Sequence, residues 1–394
     1  MFPNECSEFI YIRTYSRWLD DEKRREAWPE TVERYVRFIK KHQPEIPAKT
    51  VRKIRKYVTS FEVMPSMRML WAAGPAAEKD NATVYNCSYA NIDSVDSFAE
   101  CLHILMCGSG FGFGVSKKYT DKLPKVPVLN TLEEVTHTVE DSREGWADTI
   151  KVLMNSLYDG KKVHFDYTDL RPEGARLGVM GGRSSGPAPL VRLHQFIVEV
   201  FDEAQGRKLT PLECHDICNQ IAEIVVAGGV RRSSQISLSD LEDDEMRAAK
   251  IWPFPQRRAM ANNSAVYLDK PSATDFLKEW ADLAASGTGE RGIFNLGSVR
   301  NAAPTRRNSN LIAGTNPCGE IMLRDKEFCN LSEVVVKGYD NLDTMLDKIE
   351  TATWMGVIQS SFTHFPYLRD KWARNCTVER LLGVSLTGQY DHPS

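Results

Sequence analysis

The stretch Thr315-Asn316-Pro317-Cys318-Gly319-Glu320 sets an amide, a thiol and a carboxyl at alternate positions. Pro317 removes a backbone donor and Gly319 removes a side chain, so the stretch reads as a loop tip and not a helix interior. In an extended conformation, residues two apart share a face, which would point Asn316, Cys318 and Glu320 the same way. A carboxylate beside a thiol raises the thiol pKa, because it opposes a second negative charge. That disfavours a thiolate nucleophile and suits a thiol that reacts by losing a hydrogen atom. A turn around a structural cysteine accounts for the same residues, and the motif alone leaves both readings open.

Two more cysteines sit among hydrogen-bonding neighbours, in Asn86-Cys87-Ser88 and in Phe328-Cys329-Asn330-Leu331-Ser332. Taken singly, each reads as a core cysteine. The run Gly108-Ser109-Gly110-Phe111-Gly112-Phe113-Gly114 lacks the spacing and the Lys-Ser/Thr of a phosphate loop. It reads as a strand with one face bare of side chains, open to close approach by another segment. Gly181-Gly182-Arg183-Ser184-Ser185-Gly186-Pro187 is a donor-rich loop that suits a substrate contact or a simple connector. Cys214 and Cys218, with His215 and Asp216 between them, invite a zinc reading. No second ligand pair follows at the usual distance, so no metal site is assigned.

These groups need a scaffold. The 394 residues are enough for two or three domains, and 42% hydrophobic with 26% charged residues is the balance of a globular chain. Fifty basic against 53 acidic residues leave a formal charge of -3, which gives no electrostatic case for a nucleic-acid or membrane partner. No apolar run approaches a membrane span, and Asn4, Glu5 and Glu8 replace the basic and apolar start of a signal peptide. Nine cysteines without a Cys-x-x-Cys pair argue against a secreted disulfide framework. The expectation is a cytoplasmic protein.

Apolar spacing predicts helices within residues 10–60, with Pro44 and Pro47 as breakers. Beyond residue 61, strands are expected at Thr83–Ala90, Phe111–Ser116, Val163–Tyr167, Val230–Leu238, Ser264–Leu268 and Gly292–Leu296. Helices are expected at Ser97–Met106, Leu132–Leu157, Leu193–Ala204, Leu212–Val226, Ala273–Ala285 and Leu342–Ser360. The acidic run Asp240–Glu245 reads as a solvated helix start. This alternation predicts an α/β core behind a helical N-terminal region. The domain division expected is 1–60 helical and 61–394 catalytic.

Taken in order, several segments resemble the large catalytic subunit of ribonucleotide reductase, most closely its monomeric adenosylcobalamin-dependent class. They begin with Tyr11-Ile12-Arg13-Thr14-Tyr15-Ser16-Arg17-Trp18. Asp141-Ser142-Arg143-Glu144-Gly145-Trp146, Arg171-Pro172-Glu173-Gly174-Ala175, Ser184-Ser185-Gly186-Pro187 and Gly228-Gly229-Val230-Arg231-Arg232-Ser233 follow. Ala261-Asn262-Asn263-Ser264, Gly292-Ile293-Phe294-Asn295, the Cys318 loop and Phe328-Cys329-Asn330-Leu331 complete the series.

The resemblance implies part of a ten-stranded α/β barrel with the Cys318 loop as a central finger. It implies that Cys318 carries a thiyl radical and abstracts the 3′-hydrogen of a ribonucleotide. Glu320 would take the 3′-hydroxyl proton and Asn316 would hold the substrate. Cys87 and Cys329 would supply the reducing equivalents and end as a disulfide. Ser66, Ser88, Gly110 and Ser185 are candidate substrate contacts. The implied cofactor is adenosylcobalamin, the alternative being a radical supplied by a separate metallo-subunit. A non-catalytic nucleotide-binding fragment is the other alternative. Implied partners are a nucleotide specificity effector and a thioredoxin-type reductant. The similarity stops at a strand midway through the family's barrel, so a complementary C-terminal chain is also expected.

Overall fold

The computed structural model describes residues 2–128, 133–177, 183–225 and 233–391. The Gly228–Arg232 part of the motif series, and the start of the strand expected at Val230, lie outside these residues. The chain folds as two compact units. A terminal unit joins residues 2–86 to 328–391, and a middle unit holds 87–177 with 183–327. These divisions fall elsewhere than the 60/61 boundary drawn from the sequence.

In the middle unit, strands β1 (Cys87–Asn91), β2 (Gly110–Gly114), β3 (Gln235–Asp240), β4 (Ala261–Tyr267) and β5 (Gly292–Asn295) run parallel. Their spatial order is β5-β4-β3-β2-β1. Helices separate them in the chain, as parallel strands require. Helix Val95–Met106, which links β1 to β2, buries Phe98, Cys101, Leu102 and Leu105. Every residue of β1 and β2 is buried, consistent with a parallel sheet covered on both faces. Asp243 caps helix Asp244–Ala248 by accepting from the Met246 N–H, so the acidic run is a helix start.

The helix expected over Leu132–Leu157 is shorter than its sequence suggests. Glu134–Thr138 is a strand paired in parallel with Lys162–Asp166, and the helix runs only from Arg143 to Tyr158. Val135, Thr136 and Thr138 are β-branched and favour the pleat, while Ser142 accepts from the Gly145 N–H and starts the helix there.

In the terminal unit, helices Trp28–His42 and Ala48–Thr59 pack together. The first buries Trp28, Val32, Tyr35, Val36 and Ile39, and its N-terminus is held by the Glu30 carboxylate accepting from the Ala27 N–H at 2.7 Å. Before them the helix is Glu5–Thr14, and Trp18 and Leu19, inside the region expected to be helical, form a short strand against Arg24–Arg25. Strand Leu331–Val335 pairs in parallel with Gly383–Thr387 and antiparallel with Val63–Met64. Helix Leu342–Gln359 covers this sheet.

Candidate functional site

The Cys318 loop joins two antiparallel strands of the middle unit, β6 (Ile312–Thr315) and β7 (Met322–Arg324). It is a turn and not the extended run considered above. Gly319 has φ +87°, a left-handed conformation natural to glycine, and its N–H donates to the Asn316 carbonyl at 2.9 Å. The turn separates the three groups: Asn316 is fully buried, whereas Cys318 and Glu320 are exposed. The Asn316 carbonyl oxygen Oδ1 accepts from the Ile321 N–H at 2.9 Å, which fixes the amide plane. Its Nδ2 is buried with no hydrogen-bond partner among the described residues. A buried amide donor without a partner carries a desolvation cost that an acceptor on a bound molecule would remove.

The bare strand face expected at Gly110, Gly112 and Gly114 is the seat of this loop. A Cβ at Gly112 would overlap the Thr315 carbonyl oxygen, and one at Gly110 would stand 3.1 Å from Pro317 Cγ. The same point at Gly110 lies 3.5 Å from Cys87 Sγ. Cys87 is opposite Gly110 in the β1–β2 register, and its side chain leans over the glycine. Residues remote in the chain, Cys87 and the Pro317 that precedes Cys318, thus meet over one missing side chain.

The other sequence candidates divide between the units. Ser88 is fully buried in β1 and donates to the Gly110 carbonyl at 2.9 Å, so it faces away from the Cys87 side of the strand. Ser185 is half-buried in the loop before helix Ala188–Glu203, where its hydroxyl donates to the Gly186 carbonyl. Cys329 is buried at the end of strand Glu327–Cys329 and belongs to the terminal unit, as does Ser66. Ser66 caps helix Met67–Ala72, accepting from the Met69 N–H, and accepts from Gln359 Nε2 at 3.0 Å. It lines a cavity of about 460 Å³ in that unit, walled by Tyr11, Trp28, Phe61 and Leu70. Among the described residues no disulfide joins any cysteine. Cys214 and Cys218 are both fully buried, and burial pushes both thiols up, a setting that opposes thiolate ligation of a metal.

Sequence reasoning missed Tyr89, whose ring occupies the space beside both Gly112 and Gly314. Part of the signal for it was available: the alternating glycines of Gly110–Gly114 leave room for a large side chain on a neighbouring segment.

Three family models match the chain in sequence order. They are the ribonucleotide reductase alpha domain over residues 1–75, the B12-dependent ribonucleotide reductase insertion domain over 119–201, and the ribonucleotide reductase barrel domain over 234–360. An adenosylcobalamin-dependent ribonucleoside-triphosphate reductase of Levilactobacillus brevis is 30% identical over 98% of this chain and 61% of its own length. One from Lactobacillus gasseri is 30% identical over 84% of this chain and 54% of its own length. The chain therefore spans somewhat more than half the length of these relatives. A crystal structure of a B12-dependent, class II ribonucleotide reductase shares the fold with a TM-score of 0.81 at 24% identity, covering 98% of this chain and 62% of the other.

Proposed function

Because this chain belongs to the ribonucleotide reductase family, we propose that it reduces ribonucleotides to 2′-deoxyribonucleotides by radical chemistry at Cys318. The observation that supports this most is the meeting of Cys87 Sγ and the Cys318 loop at the bare face of Gly110. It puts a thiol able to give a proton and an electron beside the loop that carries the reactive one.

In this reading the Cys318 thiyl takes the hydrogen from ribose C3′. The Glu320 carboxylate accepts the 3′-hydroxyl proton, and Asn316 Nδ2 donates to a substrate hydroxyl. Cys87 and Cys329 together give one proton to the departing 2′-hydroxyl, which leaves as water. Their second proton and two electrons go to the sugar, where they form the new C2′–H bond, and Glu320 returns its proton to the 3′-oxygen. Their sulfurs join as a disulfide, C3′ recovers its hydrogen from Cys318, and the thiyl is regenerated. Within this scheme Ser66, Ser88, Gly110 and Ser185 are proposed substrate contacts. Residues 1–60 are proposed as the helical entry and 61–394 as part of the catalytic barrel.

The exposed Cys318 thiol at a loop tip fits a radical source that approaches from outside the protein core. Adenosylcobalamin supplies that unpaired electron when bound. The match to a B12-dependent insertion domain favours this cofactor over a separate metallo-subunit. We further propose a ribonucleoside triphosphate substrate, a nucleotide specificity effector, a thioredoxin-type reductant, a complementary C-terminal chain and a cytoplasmic setting. The substrate follows the relatives' names.

The experiment is to mix the chain with a C-terminal segment from a relative, adenosylcobalamin, a dithiol and a ribonucleoside triphosphate. Cobalamin-dependent deoxynucleotide formation that Cys318→Ser abolishes is the expected result. Undiminished turnover in Cys318→Ser would remove Cys318 from the mechanism, and full turnover without the added segment would remove the complementary chain.

A further inference from the structure

We propose that Tyr89 is a positioning residue that sets the height and order of the Cys318 loop over β1 and β2. The proposal deepens the reaction assignment above and rests on it. In β1, Cys87, Tyr89 and Asn91 share one face, and the register sets them opposite Gly110, Gly112 and Gly114. Each glycine leaves room for the side chain beside it. A Cβ at Gly112 would stand 3.1 Å from the Tyr89 ring, and one at Gly114 would overlap the Tyr89 hydroxyl and Asn91 Oδ1. The loop closes on the same ring too, because a Cβ at Gly314 would run into it. Three glycines on two segments therefore surround one aromatic ring, and the Thr315 carbonyl descends onto Gly112 next to it.

The ring is itself held. Tyr89 is 1% exposed, and its hydroxyl donates to Asn91 Oδ1 at 2.8 Å. Burial pushes the phenol well above its ordinary range, so it stays protonated and remains a donor. The Asn91 N–H donates to Asp325 Oδ1 at 2.8 Å, and the Lys326 N–H donates to the Tyr89 carbonyl at 3.0 Å. Asp325 and Lys326 follow β7 directly, so the exit of the hairpin is tied to the strand that carries Cys87 and Tyr89. Tyr89 lies two residues from Cys87 and packs against Gly314, four residues before Cys318. Its bulk fixes the spacing between the reducing thiol and the radical thiol, which transition-state geometry requires to be tightly held.

The test reads loop order without turnover. In the full chain carrying Cys6→Ser, which removes the other exposed thiol, a nitroxide is attached to Cys318 and its line shape recorded. The parent should show slow motion. Tyr89→Leu should shift the line shape to fast motion, Tyr89→Phe should restore the parent shape by keeping the ring, and Gly314→Ala should mobilise the label from the loop side. Phe98→Leu, a fully buried ring of the same unit on helix Val95–Met106, should lower urea stability yet leave the label slow. An unchanged line shape in both Tyr89→Leu and Gly314→Ala, or equal mobilisation in Phe98→Leu, would overturn the proposal while leaving the reaction assignment standing. In the complemented enzyme, Tyr89→Leu should lower kcat with KM little changed, whereas a change in KM alone would contradict a positioning role.

Discussion

The seat of the Cys318 loop and the buried cluster around Lys348 are fixed by different forces. In the middle unit the loop is placed by what is absent: Gly110, Gly112 and Gly314 leave the volume that Pro317, the Thr315 carbonyl and Tyr89 fill. In the terminal unit, Lys348 Nζ sits 2.7 Å from Asp340 and 3.0 Å from Glu62, with the Lys348 and Asp340 side chains almost wholly out of solvent. The first is a matter of shape and the second of charge. The contacts at Gly110, Gly112 and Gly314 are made by atoms that do not ionise, whereas a buried ion pair adds pH dependence to whatever it supports.

The charge side of this contrast should give the largest effect on stability. Lys348→Met leaves two carboxylates without their cation, which is expected to cost about 3 kcal/mol in urea unfolding near neutral pH. Burial alone would raise the Asp340 and Glu62 carboxyls, but hydrogen bonds from Lys348, with the Lys337 N–H on Asp340, outweigh it and hold both below their ordinary range. Their contribution is therefore complete above the unfolded carboxyl values of about 4 and lost as pH falls through the lowered folded values. Burial lowers Lys348 and the two carboxylates outweigh that too, so its net shift is upward. Its contribution is present below about 10.4 and lost as pH rises through the folded value. Unfolding curves taken toward acid should show the Lys348→Met penalty shrinking. A constant penalty across that range would break the charge half of the comparison.

Gly112→Ala comes next. The added methyl meets the Thr315 carbonyl, and overpacking of this kind costs about 1–3 kcal/mol. The penalty should be the same at low and high salt and at acid and neutral pH, since the Thr315 carbonyl, Tyr89 and Ile236 atoms the methyl meets do not ionise under those conditions. A marked salt dependence would show that the seat is not held by shape. Gly319→Ala tests the turn itself. Beyond its two chain neighbours, no atom of the described residues lies within 4 Å of the new Cβ, so only the left-handed backbone is penalised, by about 1 kcal/mol. Ser88→Ala should have the smallest effect, about 0.5–1 kcal/mol for one buried hydrogen bond to the Gly110 carbonyl, measured by the same unfolding curves.

The two regions also differ in how far the sequence reveals them. Alternating glycine in Gly110–Gly114 announces a strand that another segment must approach, and the structure supplies the segment. Proline and glycine around Cys318 announce a turn. The partition within that turn, with Asn316 inside and Cys318 outside, is not written locally, because it depends on which carbonyl meets Gly112. The strand Glu134–Thr138 was hidden by an apolar rhythm compatible with helix, and its partner Lys162–Asp166 lies beyond an intervening helix. Lys348 was invisible for a related reason. On a helix it reads as a solvated residue until Asp340 and Glu62, from separate elements, close around it. Local chemistry is legible wherever backbone conformation demands a particular residue, and illegible where burial is decided by distant chain.

The account stands on two thiols being consumed when one sugar is reduced. Mass spectrometry of proteolytic peptides, after a single turnover of the complemented chain without external reductant, tests this directly. The account predicts one new disulfide, between Cys87 and Cys329, in proportion to the deoxynucleotide formed. Product formation with both thiols still reduced, or a disulfide that excludes either of them, would contradict it.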